Sequence, residues 1–262
     1  NILNNEIKPN KVDYNIDFNN PDILIAGCGT GNHSISASRY EDAKILAVDL
    51  SLKSLAYAKR KTNNLGLKNI EYLQADILQL KNLNKKFDII ECAGTLHHMK
   101  NPLEGLKVLL DILKPHGFLK IGLYSELARK NIIKARELIN KKNFKNINID
   151  FKFLRQEIIN NKEDPLYKRL ILSEDFYSTS GVRDLLFNVQ EHRFTIKEIS
   201  KILKDFNLEF LGFFSLNPFL KKEFSRSFPN DEKNISLENW NKFEVSNPNI
   251  FGQMYQFWVR KI

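Results

Sequence analysis

The sequence predicts an α/β protein with a doubly wound parallel sheet. The first observation is that short apolar segments alternate with helical patterns through residues 22–125. The second is the composition of these segments, which are rich in Ile, Leu and Val and are typical of strands buried on both faces. The third is a glycine-rich turn after the first segment, where a buried strand passes into a helix.

The apolar segments predict seven strands, five of them before residue 126. We expect the strands at 22–28, 44–50, 70–76, 87–93, 118–124, 208–215 and 256–261. Helices are expected at 32–40, 51–64, 102–114 and 195–206. The last helix begins with a capping box formed by Thr195 and Glu198, and residues 115–117 are expected to form a turn.

The pattern changes after strand five. Residues 126–194 contain helical patterns and no clear strand, which predicts a mostly helical insertion. Residues 216–250 contain three prolines and are expected to be irregular. The predicted domains are an N-terminal segment (1–21), a core (22–125), the insertion (126–194) and a completion of the fold (195–262).

The composition excludes several classes of protein. A hydrophobic content of 42% in 262 residues excludes a disordered chain. No apolar run approaches the ~18 residues of a membrane span. Two cysteines cannot form a disulfide framework, so a cytoplasmic location is expected. The chain begins at Asn1, which suggests that a leader or an upstream domain was removed. The net charge is +9, but only 10 of the 40 basic residues are Arg, which disfavours a nucleic-acid partner.

The turn after strand one is the most informative segment. Residues 23–32 read ILIAGCGTGN, with glycines at 27, 29 and 31. In an open parallel sheet, ligands bind beyond the carboxyl ends of the strands at the switch in strand order, where this turn lies. Asn32 occupies the place of the third glycine in a dinucleotide fingerprint, and no Lys follows the glycines as in a phosphate loop.

Two acidic residues at strand ends indicate the kind of ligand. Asp49 ends strand two, 22 residues after Gly27, where a carboxylate can accept hydrogen bonds from both hydroxyls of a ribose. Asp76 ends strand three, where it can accept from an exocyclic adenine amine. Two acids without a basic phosphate clamp indicate a nucleoside that carries no phosphate chain.

With these motifs, the chain resembles the class I S-adenosylmethionine-dependent methyltransferases. The segments ILIAGCGTG, AVDLS, LQADIL, FDIIECAGTLHHM and LKPHGFLKIGLYS follow one another in the order of that family. The resemblance implies a Rossmann-like seven-stranded sheet whose last strand is antiparallel and lies between strands five and six. It also implies S-adenosylmethionine as cofactor and S-adenosylhomocysteine as product. The residues implied to contact the cofactor are Gly27, Cys28, Gly29, Gly31, Asp49, Leu50, Asp76, Ile77, Cys92 and Ala93.

Two further points follow from the resemblance. Many members carry an acid directly before the first glycine or two residues before it, where this chain has Ala26 and Ile25. The ammonium group of the cofactor must then be bound by backbone carbonyls or by another carboxylate.

The later segments GLYSELARK, SGVRDLLFNVQEHRFT and MYQFWVRK are similar to bacterial methyltransferases often found downstream of tetratricopeptide repeats, which suggests such a region upstream.

Candidates for the acceptor side follow strands four and five and precede the capping box. They are His98, Tyr124, Glu191 and His192. His98 and Tyr124 are expected at the rim of the pocket, and Glu191 and His192 are candidates for substrate binding or proton removal. No metal is expected, because Cys92 and the neighbouring histidines lack a second ligand pair.

The predicted function is methyl transfer to a small-molecule or peptide side-chain acceptor, with the insertion as a lid. Three alternatives remain open. The acceptor could be RNA, with the basic residues between 129 and 145 as its platform. The domain could bind the cofactor without catalysis. A nicotinamide oxidoreductase is disfavoured by Asn32.

Overall fold

The computed structural model describes Glu6 and residues 20–40, 42–214 and 216–262. The predicted N-terminal segment, 1–21, therefore falls almost wholly outside the described residues. In the described ranges, the strands and helices in chain order are β1 (Asp22–Ala26), α1 (Asn32–Ala37), β2 (Lys44–Asp49), α2 (Leu52–Asn64), β3 (Ile70–Gln74), β4 (Phe87–Ala93), α3 (Pro102–Ile112), β5 (Leu113–Tyr124), α4 (Lys130–Lys142), α5 (Asn148–Asn160), α6 (Pro165–Ile171), α7 (Thr179–Leu186), α8 (Ile196–Asp205), β6 (Leu208–Phe213), α9 (Pro218–Ser227), α10 (Leu237–Ser246) and β7 (Met254–Lys261). None of the helices described has the length and apolar character needed to cross a bilayer.

The seven described strands form one sheet in the order β3-β2-β1-β4-β5-β7-β6. Strands β1 to β5 pair in parallel, and β7 runs antiparallel to both β5 and β6. This confirms the predicted fold class and the position of the last strand. The strand order reverses between β1 and β4, so the sheet offers a crevice at the carboxyl ends of these two strands.

Both faces of the sheet are buried. Along β1, Leu24 and Ala26 pack in the apolar cluster that contains residues of α3, α8 and α10, and Ile23 and Ile25 pack in the cluster that contains residues of α1 and α2. Helices therefore cover both faces, which explains why the strands read as continuous apolar runs rather than alternating ones. This burial on both faces fixes where each strand ends in the sheet. It therefore also fixes where the loops that follow the strands begin.

Several strand ends differ from the sequence prediction by two residues. β1 ends at Ala26 because Gly27 turns the chain with a φ of +77°. β3 ends at Gln74, and Asp76 instead caps the 3-10 helix Ile77–Leu83. β7 starts two residues early, at Met254, while β6 ends at Phe213. Residue 215, where strand six was expected to end, lies outside the described residues.

The predicted turn at residues 115–117 is wrong, because these residues belong to β5. Leu113 pairs with Phe87, but the next paired residues are Phe118 and Ile89. The extra residues on β5 form a bulge, and His116 adopts a φ of +60° within it. The helix before it also ends earlier than expected, at Ile112.

The prediction of an irregular segment at 216–250 is also wrong, because it contains α9 and α10. Pro218 occupies the first turn of α9, where the missing N–H costs nothing. The side chain of Asn217 caps this helix by accepting a hydrogen bond from the N–H of Phe219 (2.9 Å). Ser236 caps α10 in the same way. Pro218 and the two caps thus start helices rather than interrupt the chain.

The chain divides into two compact units. The second unit, Glu126–Glu191, consists of α4 to α7 with a short 3-10 helix and contains no strand, as predicted for the insertion. The unit ends at residue 191, whereas 194 was expected. It has an apolar core of its own, which includes Ile132, Phe151, Leu154, Ile158, Leu170 and Phe176.

A buried ion pair joins the two ends of this second unit. Arg129 donates from Nε to Oε1 of Glu191 (3.0 Å) and from Nη2 to Oε2 (2.8 Å). Both side chains are inaccessible to solvent, and Arg136 lies 3.5 Å from the same Oε2. Because a bidentate pair of this kind is satisfied at both oxygens, it fixes the end of the unit against its start.

In the first unit, a buried carboxylate connects the end of β5 to α10 and β7. Glu244 accepts hydrogen bonds from Ser125 Oγ (2.9 Å) and from Tyr255 Oη (2.8 Å). Burial raises the pKa of Glu244, although the hydrogen bonds from Tyr255 and Ser125 act in the opposite direction. The charged form is therefore less stable in the folded chain than in the unfolded chain.

We expect Glu191→Gln to lower the free energy of unfolding of the full chain by about 3–5 kcal/mol, because two arginines would lose their buried counter-charge. Urea unfolding followed by circular dichroism measures this loss. The control is Glu157→Gln, which breaks a half-exposed pair with Lys142 and should cost less than about 1 kcal/mol. Equal effects of the two substitutions would contradict the buried role of Glu191.

We expect Glu244→Gln to change how stability depends on pH. A raised pKa in the folded state means that the folded chain holds a proton that the unfolded chain has lost, so this group makes stability fall as pH rises through its folded pKa. The Gln variant keeps an acceptor for Tyr255 and Ser125 but cannot titrate. Melting temperatures across the acidic range should therefore decline less steeply toward neutral pH in the variant, and parallel curves would refute the assignment.

Candidate functional site

The loop after β1 has backbone conformations that favour glycine. Gly27, Gly29 and Gly31 have φ values of +77°, +53° and +92°. A Cβ atom on Gly27 would lie 2.0 Å from the Oγ1 of Thr95, and one on Gly31 would lie 2.8 Å from the Cβ of Ala58. At Gly29 the same position is open. The first and third glycines thus allow close packing of the loop, while the middle one leaves space beside the backbone.

Asp49, at the end of β2, holds this loop in place. Its Oδ2 accepts a hydrogen bond from the N–H of Gly29 (2.8 Å), and its Oδ1 accepts one from the N–H of Ser51 (2.8 Å). Because a carboxylate has about four acceptor positions, both oxygens keep lone pairs for other donors. The loop and the carboxylate therefore form one preorganised unit.

Asp76 follows β3 on the other side of the cleft. Its Oδ1 accepts a hydrogen bond from the N–H of Leu78 (2.9 Å), which starts a 3-10 helix and orients the carboxylate. Ile77 and Leu50 line the same cleft, and Leu50 is 66% exposed. Apolar side chains together with a carboxylate suit a heterocyclic base.

These elements enclose a cleft of about 290 Å³ at the carboxyl ends of the strands. Of the predicted cofactor contacts, six line it: Gly27, Gly29, Asp49, Leu50, Asp76 and Ile77. Gly31 lies in the turn into α1, and Ala93 ends β4. None of the described residues that line the cleft is Lys or Arg.

The two predicted cysteine contacts lie in the core. Cys28 and Cys92 are buried within the apolar clusters on opposite faces of the sheet. Burial, together with the charge of Asp49 in the case of Cys28, raises the pKa of each thiol to about 12. Both thiols therefore stay protonated at neutral pH and are not nucleophiles.

Three aromatic rings pack together beside the cleft. The His97 ring stacks on Tyr124 with centroids 3.6 Å apart, and His98 packs edge-on against His97 at 4.4 Å. The carbonyl of His97 accepts a hydrogen bond from the N–H of His192 (2.8 Å). His98 lines the cleft, whereas His97 is fully buried. The structure therefore brings together three of the four predicted acceptor-side residues.

Glu191 has a different environment from its neighbour in sequence. It belongs to the second unit, its side chain is inaccessible to solvent, and both of its oxygens are bound by Arg129. A carboxylate engaged in this way is a structural anchor. This geometry does not support the prediction of substrate binding or proton removal at Glu191.

The sequence did not single out the residues after β4 that complete the cleft. Gly94, Thr95 and Met99 all line it. Gly94 has a φ of +83°, so the chain turns after β4 much as it does after β1. The signal that could have located it is the glycine that directly follows a buried strand, the same signal that located Gly27.

Part of the chain matches a known protein family and several known proteins. Residues 23–117 match the family described as "Methyltransferase domain". An uncharacterized protein from Synechococcus sp. is 37% identical over 121 residues, which is 45% of this chain and 29% of that protein. A mitochondrial ubiquinone biosynthesis O-methyltransferase from Schizosaccharomyces pombe is 26% identical over 183 residues, or 68% of this chain and 63% of that enzyme.

Among solved structures, PKMT2 from Rickettsia typhi has the same fold. It superimposes with a TM-score of 0.71 at 18% identity and covers 97% of this chain and 51% of PKMT2. The same protein has been solved in complex with AdoHcy, where the TM-score is 0.63. This chain thus spans less than two thirds of these relatives. Residues 23–117 thus match a methyltransferase domain, and the chain shares its fold with PKMT2 over nearly its whole length.

Proposed function

We propose that this protein transfers a methyl group from S-adenosylmethionine to a small-molecule or peptide side-chain acceptor. The observation that carries the proposal is the cleft at the switch in strand order, with Asp49 and the glycine loop on one side and Asp76 on the other. Asp49 and Asp76 match the ribose and the base of an adenosine, and the cleft lies where open α/β sheets bind ligands.

The described residues fit this cofactor. The free lone pairs of Asp49 suit the two ribose hydroxyls, and Asp76 suits an exocyclic amine. The open space at Gly29 lets a ligand approach the backbone. Because no Lys or Arg lines the described part of the cleft, a pyrophosphate would lack counter-charges there. These features support a nucleoside without phosphates over a dinucleotide.

The cofactor supplies a methyl group that is already activated on a sulfonium. The protein's main task is therefore to align the acceptor, which can supply about 7–11 kcal/mol of barrier reduction. We assign this task to Tyr124, whose ring packs against His97 and His98, and to His192, whose backbone N–H donates to the carbonyl of His97. His98 reaches the cleft itself and is our candidate for taking a proton from an ammonium or hydroxyl acceptor.

We further propose that the insertion selects the acceptor. Support comes from its points of attachment: the chain leaves the first unit after Ser125 and returns at His192, next to Tyr124 and His97. An upstream tetratricopeptide-repeat region and a cytoplasmic location stay predictions from the sequence.

The contacts of the basic residues between 129 and 145 argue against RNA as the acceptor. Four of these residues are engaged with carboxylates inside the second unit: Arg129, Lys134, Arg136 and Lys142. Their charges are thus largely used within the fold. Binding to RNA that falls steeply with salt would reverse this conclusion.

We expect Asp49→Ala to weaken binding of S-adenosylhomocysteine at least tenfold (about 1.4 kcal/mol), because the variant loses both the ribose contact and the anchor of the loop. Isothermal titration calorimetry measures this change. The control is Asp111→Ala, which removes an exposed carboxylate at the end of α3 and should leave affinity unchanged. Wild-type protein that binds neither S-adenosylmethionine nor S-adenosylhomocysteine would refute the proposed function.

We expect His98→Ala to slow methyl transfer by about 10²–10⁴-fold if the acceptor must lose a proton. The measurement is the rate at which tritium passes from methyl-labelled cofactor to an acceptor fraction. Lys107→Ala, an exposed change on α3, serves as the control. An unchanged rate in the His98 variant would remove His98 from this role.

A further inference from the structure

A surface groove lies between the start of α3 and the length of α8. Its volume is about 420 Å³, compared with about 290 Å³ for the cofactor cleft. Met99 lines the cleft, and Lys100, the next residue, lines the groove. His192 also lines the groove, and its N–H donates to the carbonyl of His97 (2.8 Å), the residue before His98. The groove and the cleft therefore share the loop that follows β4.

The floor of this groove is apolar. Pro102 and Leu103 of α3 line it together with Phe194 and Ile202. The same four residues border a cavity of about 20 Å³ on the core side, and the side chains that line this cavity in the described chain are all apolar. A cavity of this size could hold a water molecule but offers it no polar partner, so it suits the end of an apolar side chain. Leu103 is 41% exposed at this floor.

The rim of the groove is basic. Of its two acidic residues, Asp205 pairs with Lys201 (2.5 Å), and Glu198 accepts two hydrogen bonds at the N-cap of α8 (2.7 and 2.8 Å). Lys100 is exposed and forms no ion pair with any residue that the structure describes. Arg193 adds a further positive charge to the rim. The acids are thus engaged within α8, and the rim complements a negatively charged partner.

The shape of the groove favours a peptide chain over a compact small molecule. The groove follows α8 from Glu198 to Asp205, which corresponds to about 10 Å of helix. Its rim residues at both ends are exposed to solvent. Small-molecule sites usually bury about 70–90% of their ligand, which an open groove does not do. An extended peptide advances about 3.3 Å per residue, so a few residues span this length and can place one side chain on the floor.

We propose that the acceptor is a peptide segment that docks in this groove. One apolar side chain of the segment lies on the floor beside Leu103, and an acidic residue next to it pairs with Lys100. From there the segment continues past His192 toward the cleft, so that its reacting side chain lies near His98. This inference rests on the proposed function and narrows the acceptor class that was left open there.

The test measures binding of the full chain to three immobilised pools of synthetic peptides of about ten residues. The first pool carries a fixed Leu flanked by Asp on both sides. In the second pool the flanking residues are Lys, in the third the Leu is replaced by Ser, and all other positions are random. We expect the first pool to bind several-fold more tightly than the second, because the rim is basic, and about tenfold more tightly than the third, because the apolar anchor is lost.

Two exposed substitutions connect this preference to the groove. Lys100→Glu should abolish or reverse the preference for the first pool over the second, and Leu103→Asp should weaken binding of the first pool about tenfold. The matched controls are Lys107→Glu on α3 and Leu65→Asp after α2, both exposed and outside the groove, which should leave peptide binding unchanged. Because none of these four residues lines the cleft, S-adenosylhomocysteine should bind every variant like wild type.

A transfer assay then connects the bound peptides to the reaction. The first pool should receive tritium from methyl-labelled S-adenosylmethionine faster than the other two pools, because its peptides are held beside the cleft. Lys100→Glu should remove this difference between the first and second pools, and Lys107→Glu should preserve it.

The outcomes separate this inference from the proposed function. The inference alone is overturned if wild type binds S-adenosylhomocysteine but does not prefer the first pool, if Lys100→Glu and Leu103→Asp keep the wild-type preference, or if the first pool binds and receives no tritium. If thermal unfolding shows that Leu103→Asp does not fold, the exposed change Lys100→Glu decides. Wild type that does not bind S-adenosylhomocysteine overturns the inference and the proposed function together.

Discussion

The carboxylate of Asp49 is the interaction on which the cofactor site depends. It accepts hydrogen bonds from Gly29 and Ser51, and so it joins the loop after β1 to the end of β2. A loop of glycines has no side chains to fix its shape, and glycine loses more conformational freedom on folding than any other residue. The same group that orders the loop also faces the cleft. Ligand binding therefore does not have to supply the entropy of ordering the loop.

The sheet could be predicted because its strands are buried on both faces and read as apolar runs. The place of β7 was available only through resemblance to a family, since no local pattern records which strands pair. The errors have local causes. A proline can end a helix or begin one, and at Pro218 the distinction depends on the cap that Asn217 provides. The bulge in β5 depends on pairing with β4, a contact between distant parts of the chain.

The residues that line the cleft were easier to place from the sequence than the polar residues before α8. Asp49 is the last residue of β2 and Asp76 follows the end of β3, and a parallel sheet brings these strand ends to one edge whatever the loops do. Glu191 and His192 are neighbours in sequence, yet their contacts differ. The carboxylate of Glu191 is bound by Arg129, 62 residues away, whereas the backbone N–H of His192 donates to the carbonyl of His97. A polar cluster in a sequence gives no direction to its side chains. Only distant contacts assign them different roles.

The contact between Gly27 and Thr95 links the two halves of the site. Thr95 Oγ1 lies where a side chain at residue 27 would have to be, and it donates a hydrogen bond to the carbonyl of Ala26. Thr95 also precedes the short helix that presents His98. The loop after β1 and the loop after β4 are thus mechanically interlocked. Any side chain at residue 27 would displace Thr95 and, with it, the start of the short helix that carries His98.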